Sequence, residues 1–282
     1  MTLPLLNASG CLDALVAPGV ARSLDAFVTK TVTPLPREGN PPPRIAETDA
    51  GMLNSIGLQN PGLDAFLEGV LPRLEQLGVP IWVSVGGFSA DDFAVMCSAL
   101  DGRATVATVE LNLSCPNVEE APETAAELVA AARASTGKTI YAKLSPATWN
   151  VAETARAVAD AGADGLSLVN TIRGMALDPE TRAPRLARGV GGYSGPALRP
   201  IALACVQACA EAVELPIVGM GGVASGENAL DLHAAGASAV ALGTILFSDP
   251  LAPIRIRAEL ARVERGAGGR PTEEPPAHVA RI

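Results

Sequence analysis

The sequence predicts an α/β fold built as a single-domain (β/α)8 TIM barrel, and three observations carry that expectation. Eight short apolar, β-branched or glycine-bounded runs recur along the chain. Helix-patterned stretches lie between most of them, and strands alternating with helices imply parallel βαβ units. Polar residues and glycines gather just past the ends of the runs, where a barrel of this kind keeps its chemistry.

The predicted strands are Leu3–Ala8, Ala26–Val32, Ile81–Val85, Thr105–Leu113, Thr139–Leu144, Gly165–Val169, Pro216–Gly219 and Ala239–Leu242. The predicted helices are Leu63–Leu77, Asp91–Leu100, Glu123–Ser135, Val151–Ala161, Pro196–Ala212 and Glu227–Ala235. Eight such units in about 250 residues suit a closed barrel. A doubly wound open sheet is the structural alternative, but its glycine fingerprint does not follow the first strand. The connection from Thr33 to Gly62 holds six prolines and is too long for an ordinary loop, so it is expected to be functional or locally structured. Residues 1–265 are assigned to the barrel, and residues 266–282 read as a flexible tail.

Composition narrows the function. Apolar residues make up 48% of the 282, enough for a sizeable core. Aromatics at 3% are too few for a base-stacking surface, and a net charge of −9 argues against a polyanionic partner. Small anionic ligands stay open, because a few lysines or backbone N–H groups suffice for them. The five cysteines are odd in number and sparse, and the first residues lack the basic and apolar segments of an export signal. Free thiols in a reducing cytoplasm are therefore expected. No apolar run reaches the roughly 20 residues of a membrane span. Cys205 and Cys209 share one face of a predicted helix, where core packing is expected over metal binding because no other Cys or His cluster accompanies them. The two histidines, His233 and His278, nearly exclude a His-based triad or a His-rich metal site.

The strand ends carry the chemical signals. The first ends in Asn7-Ala8-Ser9-Gly10, small residues that form a turn or let a planar ligand approach the backbone. The second ends in Thr29-Lys30-Thr31, whose lysine either caps into solvent or contacts an anion. Asn54-Ser55-Ile56-Gly57-Leu58-Gln59-Asn60-Pro61-Gly62 reads as a turn cluster or as carboxamides that recognise a polar heterocycle. The fourth strand delivers Asn112-Leu113-Ser114-Cys115-Pro116-Asn117, a thiol between two carboxamides. The fifth delivers Lys143, whose inward charge is costly unless an anion pairs with it. Asn170-Thr171 ends the sixth. The glycines of Gly219-Met220-Gly221-Gly222-Val223 and of Leu242-Gly243-Thr244 follow the seventh and eighth, where this barrel cradles phosphate. Lys143 and the cradle together suggest a phosphorylated planar cofactor, and FMN fits best.

These motifs, with Tyr141–Pro146 and Gly191–Pro196, resemble those of the class 1 dihydroorotate dehydrogenases, in order and over nearly the whole barrel. Thr181-Arg182, Gly191–Ala197 and Gly236–Val240 resemble the two-subunit, NAD-linked branch most. The resemblance implies oxidation of (S)-dihydroorotate to orotate in pyrimidine biosynthesis. Cys115 would be the base for the C5 proton, with hydride passing from C6 to N5 of FMN. Asn54, Asn112, Asn117 and Asn170 would bind the pyrimidine and its carboxylate, and Lys30 would contact both substrate and flavin. Thr171 and the backbone of Ile56, Gly57 and Leu58 would complete the substrate pocket. Ser9, Lys30, Thr31, Asn112, Lys143, Val169 and Gly195 would line FMN, and Gly221, Gly222, Gly243 and Thr244 would hold its phosphate. A partner subunit carrying FAD and a 2Fe–2S cluster would relay electrons to NAD, since this chain has no cysteine set for such a cluster. A homodimer or a heterotetramer is the implied assembly.

The sequence departs from the family pattern in three places. The segment Val118-Glu119-Glu120-Ala121-Pro122 leads almost directly into a helix, giving a shortened lid expected to expose the thiol and slow the half-reaction. Ser84 occupies the place where the third strand usually offers FMN an Asn. The leading hairpin that closes the barrel bottom is missing. Two other functions fit the motifs less well. A flavin enzyme for another dihydropyrimidine would not need Lys30 and four Asn for a carboxylate, and a non-catalytic FMN-binding scaffold would not need Cys115.

Overall fold

The computed structural model describes residues 3–113, 124–148 and 150–267. Cys115, Asn117, the segment 118–122 and residues 268–282 of the expected tail lie outside the described residues.

Twelve strands are described. β1 (Leu5–Asn7) and β2 (Phe27–Val28) precede β3 (Ile45–Thr48) and β4 (Gly51–Asn54). β5 (Ile81–Val85), β6 (Val106–Asn112), β7 (Thr139–Leu144) and β8 (Gly165–Leu168) follow. β9 (Ile172–Gly174) and β10 (Gly191–Ser194) lead to β11 (Ile217–Met220) and β12 (Ala239–Leu242). Eight of them form one sheet in the order β1-β12-β11-β8-β7-β6-β5-β2, and every strand pair in it is parallel. These are the eight predicted strands. The sheet closes through a parallel bridge between Leu6 and Ala26.

One buried side chain contributes much of that closure, beside the Asp25 N–H donating to the Leu5 carbonyl at 2.9 Å and the Ser9 hydroxyl donating to the Thr29 carbonyl at 2.9 Å. Asn7 is fully buried. Its Nδ2 donates to the Val28 carbonyl at 2.7 Å and its Oδ1 accepts from the Val28 N–H at 2.9 Å. The carboxamide thus supplies the bonds that a longer β1–β2 ladder would make. β2 is shorter than the predicted Ala26–Val32 because the hydroxyl of Thr29 takes the Ser84 N–H at 3.1 Å, a local competitor for the ladder. The chain rejoins β5 at a Val32–Val85 bridge.

The helices wrap the barrel. α1 (Pro18–Ala21) is short. α2 (Leu63–Ala65), a π-helical turn (Phe66–Val70), α3 (Leu71–Leu74) and a 3-10 turn (Glu75–Leu77) occupy the predicted single helix Leu63–Leu77. Pro72 explains the break, because its ring has no N–H and clashes with the carbonyl four residues earlier. α4 (Ala90–Asp101), α5 (Ala125–Ser135), α6 (Val151–Asp160), α7 (Arg199–Ala210) and α8 (Gly226–Ala234) match predicted helices. Ser89, Thr124, Asn150 and Ser225 set where α4, α5, α6 and α8 begin, each accepting a backbone N–H from three residues on. α9 (Ile245–Ser248) and α10 (Ala252–Ala267) close the described chain. No helix among the described residues is long and apolar enough to cross a membrane.

Alternate residues of each barrel strand serve two cores. Val83, Val109, Leu111, Ile140, Leu166 and Val240 pack outward against the helices. Leu6, Val28, Trp82, Tyr141, Val218 and Met220 pack together as a second cluster on the opposite strand faces, inside the barrel. The remaining strands form a separate antiparallel sheet, β3-β4-β10-β9, with its own small cluster of Ala46, Leu53 and Leu186. The long proline-rich connection contributes β3 and β4 to it.

Candidate active site

The C-terminal strand ends and the antiparallel sheet enclose a cavity of about 830 Å³, well within the range of small-molecule sites. Ser9, Lys30, Thr31, Asn112, Lys143 and Val169 reach it from the barrel. Asn170 and Thr171 reach it from the segment between β8 and β9, and Asn54, Ile56, Gly57 and Leu58 from β4 and the turn after it. Gly195, Gly221, Gly222, Gly243 and Thr244 line the end beneath β10, β11 and β12.

Hydrogen bonds lock the polar lining into one chain. Ser9 Oγ lies 3.2 Å from Thr31 Oγ1, and Thr31 Oγ1 lies 3.0 Å from Ser84 Oγ. Asn112 Nδ2 donates to Thr31 Oγ1 at 3.2 Å, and Asn170 Nδ2 donates to Asn112 Oδ1 at 3.1 Å. The Thr171 N–H donates to Asn170 Oδ1 at 2.8 Å. With its oxygen and one N–H committed, Asn112 keeps a second N–H donor and lines the cavity. Two carboxamides held in this way present fixed donors to a planar heterocycle.

Ser84 needs a correction. The resemblance placed it against the cofactor, but it is fully buried behind Thr31 and does not line the cavity. Its hydroxyl orients Thr31, which does line it.

The glycines at the far end have steric reasons. Gly222 has φ +71°, and a Cβ there would lie 3.0 Å from the Gly195 carbonyl oxygen. The backbone N–H groups of Gly222, Gly243 and Thr244 have no protein acceptor among the described residues. Donors that face a cavity without acceptors fit an anion such as phosphate. Gly10, φ +77°, lies beneath Lys30, and a Cβ there would come 2.8 Å from Lys30 Cδ and force the lysine outward.

Charge in the cavity is one-sided. Lys30, Lys143, Arg173 and Arg188 line it, and no acidic side chain does so among the described residues. In a chain with a net charge of −9, this concentration of cations selects anions. Lys143 also reaches below the lining to Glu110 Oε1 at 3.4 Å, a pair whose side chains are 6% and 2% exposed. Cys11 joins the lining as well. Burial pushes its thiol up, with Lys143 and Lys30 opposing the shift, so it is a neutral thiol at physiological pH.

The dihydroorotate dehydrogenase family model matches residues 2–263. The catalytic subunit of dihydroorotate dehydrogenase B (NAD(+)) from Geobacter sp. (strain M21) is 46% identical over 84% of this chain and 80% of its own length. Its counterpart from Geobacillus kaustophilus is 44% identical over 91% of this chain and 85% of its own. The chain belongs to the dihydroorotate dehydrogenase family. It is an oxidoreductase of pyrimidine biosynthesis that oxidises dihydroorotate, and its family is flavin-dependent. Its fold matches the crystal structure of DHODH from Eimeria tenella in complex with ferulenol, at a TM-score of 0.75 and 24% identity over 94% of this chain and 82% of that one.

Three residues around this dehydrogenase cavity are not among the candidates that the sequence offers. Arg173 and Arg188 sit on or beside short polar strands that no apolar run marks. Glu110 does leave a signal. It interrupts the apolar run before Asn112 and, two residues earlier in the strand, shares the inward face with it.

Proposed function

We propose that the cofactor is FMN and that the residues gathered at the cavity take the roles their chemistry suggests. The observation that carries this reading is the cavity's set of four cations without an acid, joined to the glycine N–H cradle. Gly221, Gly222, Gly243 and Thr244 hold the phosphate of the cofactor. Ser9, Thr31, Lys143, Val169 and Gly195 line the remainder, and Lys30 serves both cofactor and substrate. When bound, FMN supplies the acceptor for the hydride that leaves C6 of dihydroorotate.

The chain's own residues do the rest. Asn54, Asn112, Asn117 and Asn170 hydrogen-bond the pyrimidine ring and its carboxylate as neutral groups, so they add no repulsion to an anionic substrate. Lys30 supplies the opposite charge. Thr171 and the backbone from Ile56 to Leu58 fix the ring and exclude water. Cys115 takes the C5 proton, a task that suits a thiol, which ordinarily titrates near pH ~8.5 and needs only modest tuning. Lys143 offers a fixed positive charge in a low-dielectric site, where it counts for more than in water. A carboxylate-bearing substrate suits a cavity whose charged lining residues, among those described, are Lys30, Lys143, Arg173 and Arg188 better than a neutral dihydropyrimidine does.

The relatives' names, catalytic subunits of an NAD(+)-type enzyme, support a partner subunit; in our reading that partner carries FAD and a 2Fe–2S cluster and passes electrons to NAD, in a cytoplasmic homodimer or heterotetramer. Anaerobic mixing of the purified chain with dihydroorotate tests the core of this reading. Rapid bleaching of the yellow absorbance is expected without NAD or a partner. A yellow protein that stays yellow would overturn the substrate role, and a colourless one that FMN cannot reconstitute would overturn the cofactor.

A further inference from the structure

Lys143 does not stand alone. It lies on β7 with its side chain 6% exposed, and its one acceptor among the described residues is Glu110 on β6, at 3.4 Å and 2% exposed. Both residues point into the barrel interior, where the layer below is apolar and includes Trp82, Tyr141, Val28 and Val218. Nothing in substrate binding or proton removal calls for Glu110. An isolated carboxylate in such a place would be expensive, and an isolated ammonium equally so. Ser167, the Cα partner of Lys143 across β7 and β8, is fully buried, and its hydroxyl has no partner among the described residues. The lysine is therefore turned to Glu110 although a hydroxyl-bearing residue stands beside it on the next strand.

We infer that Glu110 is a positioning residue for the known reaction: it is the counter-ion that holds Lys143 at the cavity and moderates the positive field the lysine exerts there. This rests on the reading that Lys143 faces the flavin. With Glu110 in place the pair is neutral overall, and an anion formed above Lys143 shares the lysine with the carboxylate. Without Glu110 the full charge of Lys143 acts on that anion. Glu110 thus limits how strongly the site stabilises negative charge, which keeps electrons transferable to an acceptor.

Sulfite reads this field without turnover, because it adds reversibly to a bound flavin to give an anionic adduct with a distinct absorbance. Sulfite is titrated into the holoenzyme and into E110Q, K143M and the E110Q/K143M double variant. E110Q is expected to bind sulfite about tenfold more tightly than wild type, equivalent to about 1.4 kcal/mol. K143M is expected to bind it about tenfold more weakly. Because the two fields add, the double variant is expected to bind sulfite about tenfold more tightly than K143M, in which the carboxylate is left unopposed. That comparison stands even if E110Q does not fold, since the double variant leaves no unpaired charge. E110Q binding no more tightly than wild type, or a double variant binding no more tightly than K143M, would overturn the role of Glu110 and leave the flavin reading intact. K143M indistinguishable from wild type would overturn the placement of Lys143, and this inference with it.

Discussion

The barrel and the four-stranded sheet face each other across one cavity but are held by different means. The barrel strands are buried on both faces; β8 and β11 are buried at every residue. The small sheet buries few positions: β3 alternates with exposed residues, and β9 has none buried. Ile45 on β3 is 51% exposed. Burial on two faces gives the barrel side the rigidity to fix Lys143, Asn112 and the glycine cradle within a fraction of an ångström, as a bound cofactor needs. The sheet above, with a core of a few side chains, shapes its side of the cavity, the side we propose takes substrate, through Asn54, Thr171 and the backbone of β10. One half is made to stay still, and the other can be altered without unfolding the molecule.

Substitutions can break or sharpen that division. The largest effect belongs to the proposed base. Cys115→Ser should slow flavin reduction by dihydroorotate about 10²-fold or more at pH 7 in anaerobic stopped flow, the usual weight of a positioned base. An unchanged rate would reassign the base. Next comes the seam of the barrel. Asn7→Ala leaves the buried N–H and C=O of Val28 without partners, and a loss of about 2–4 kcal/mol in urea unfolding is expected.

The same kind of experiment on the small sheet should read out elsewhere. A Cβ on Gly192 would collide with Thr171 Oγ1, so Gly192→Ala should displace Thr171 and raise KM for dihydroorotate about tenfold. Flavin content and the unfolding midpoint should stay near wild type; a large fall in stability would erase the contrast between the two halves. The smallest effect is expected at the rim. Arg188→Gln should lower kcat/KM about threefold at low salt, and the difference should vanish near 1 M salt, where the Debye length is about 3 Å. A salt-independent loss would mean direct contact with substrate in place of steering.

The two halves also differ in how openly the chain declares them. Every barrel strand is legible, because burial on both faces demands runs such as Val83 to Val85 or Ile140 to Leu144 with few polar interruptions. The small sheet is not. Its strands come from two segments more than a hundred residues apart, and each is three or four residues long with Gly, Arg, Glu or Asn among them. Only tertiary pairing, such as Asn54 opposite Gly192, makes them strands. At the cavity, residues at strand ends are legible because a polar group past an apolar run has no packing reason to be there. Ser84 misleads for a related reason. Its position in β5 fixes which face it occupies, but the hydroxyl of Thr31 stands between it and the cavity. Glu110 is easily missed inside an apolar run, although its place on an inward face is written in the alternation of β6.

The floor of the barrel has a use beyond stability. Trp82 rests against Tyr141 with ring centroids 4.5 Å apart, and lies two residues before Ser84 on β5, toward the N-terminal end of the strand. The chain has two tryptophans, so a large share of its ultraviolet emission originates beneath the cavity that we propose holds the flavin. Flavins absorb in the band where indole emits, and transfer over so short a path is efficient. A loaded barrel should therefore be dim and an empty one bright. Trp82 makes the protein its own optical gauge of cofactor occupancy, read in the same cuvette in which substrate bleaches the yellow colour.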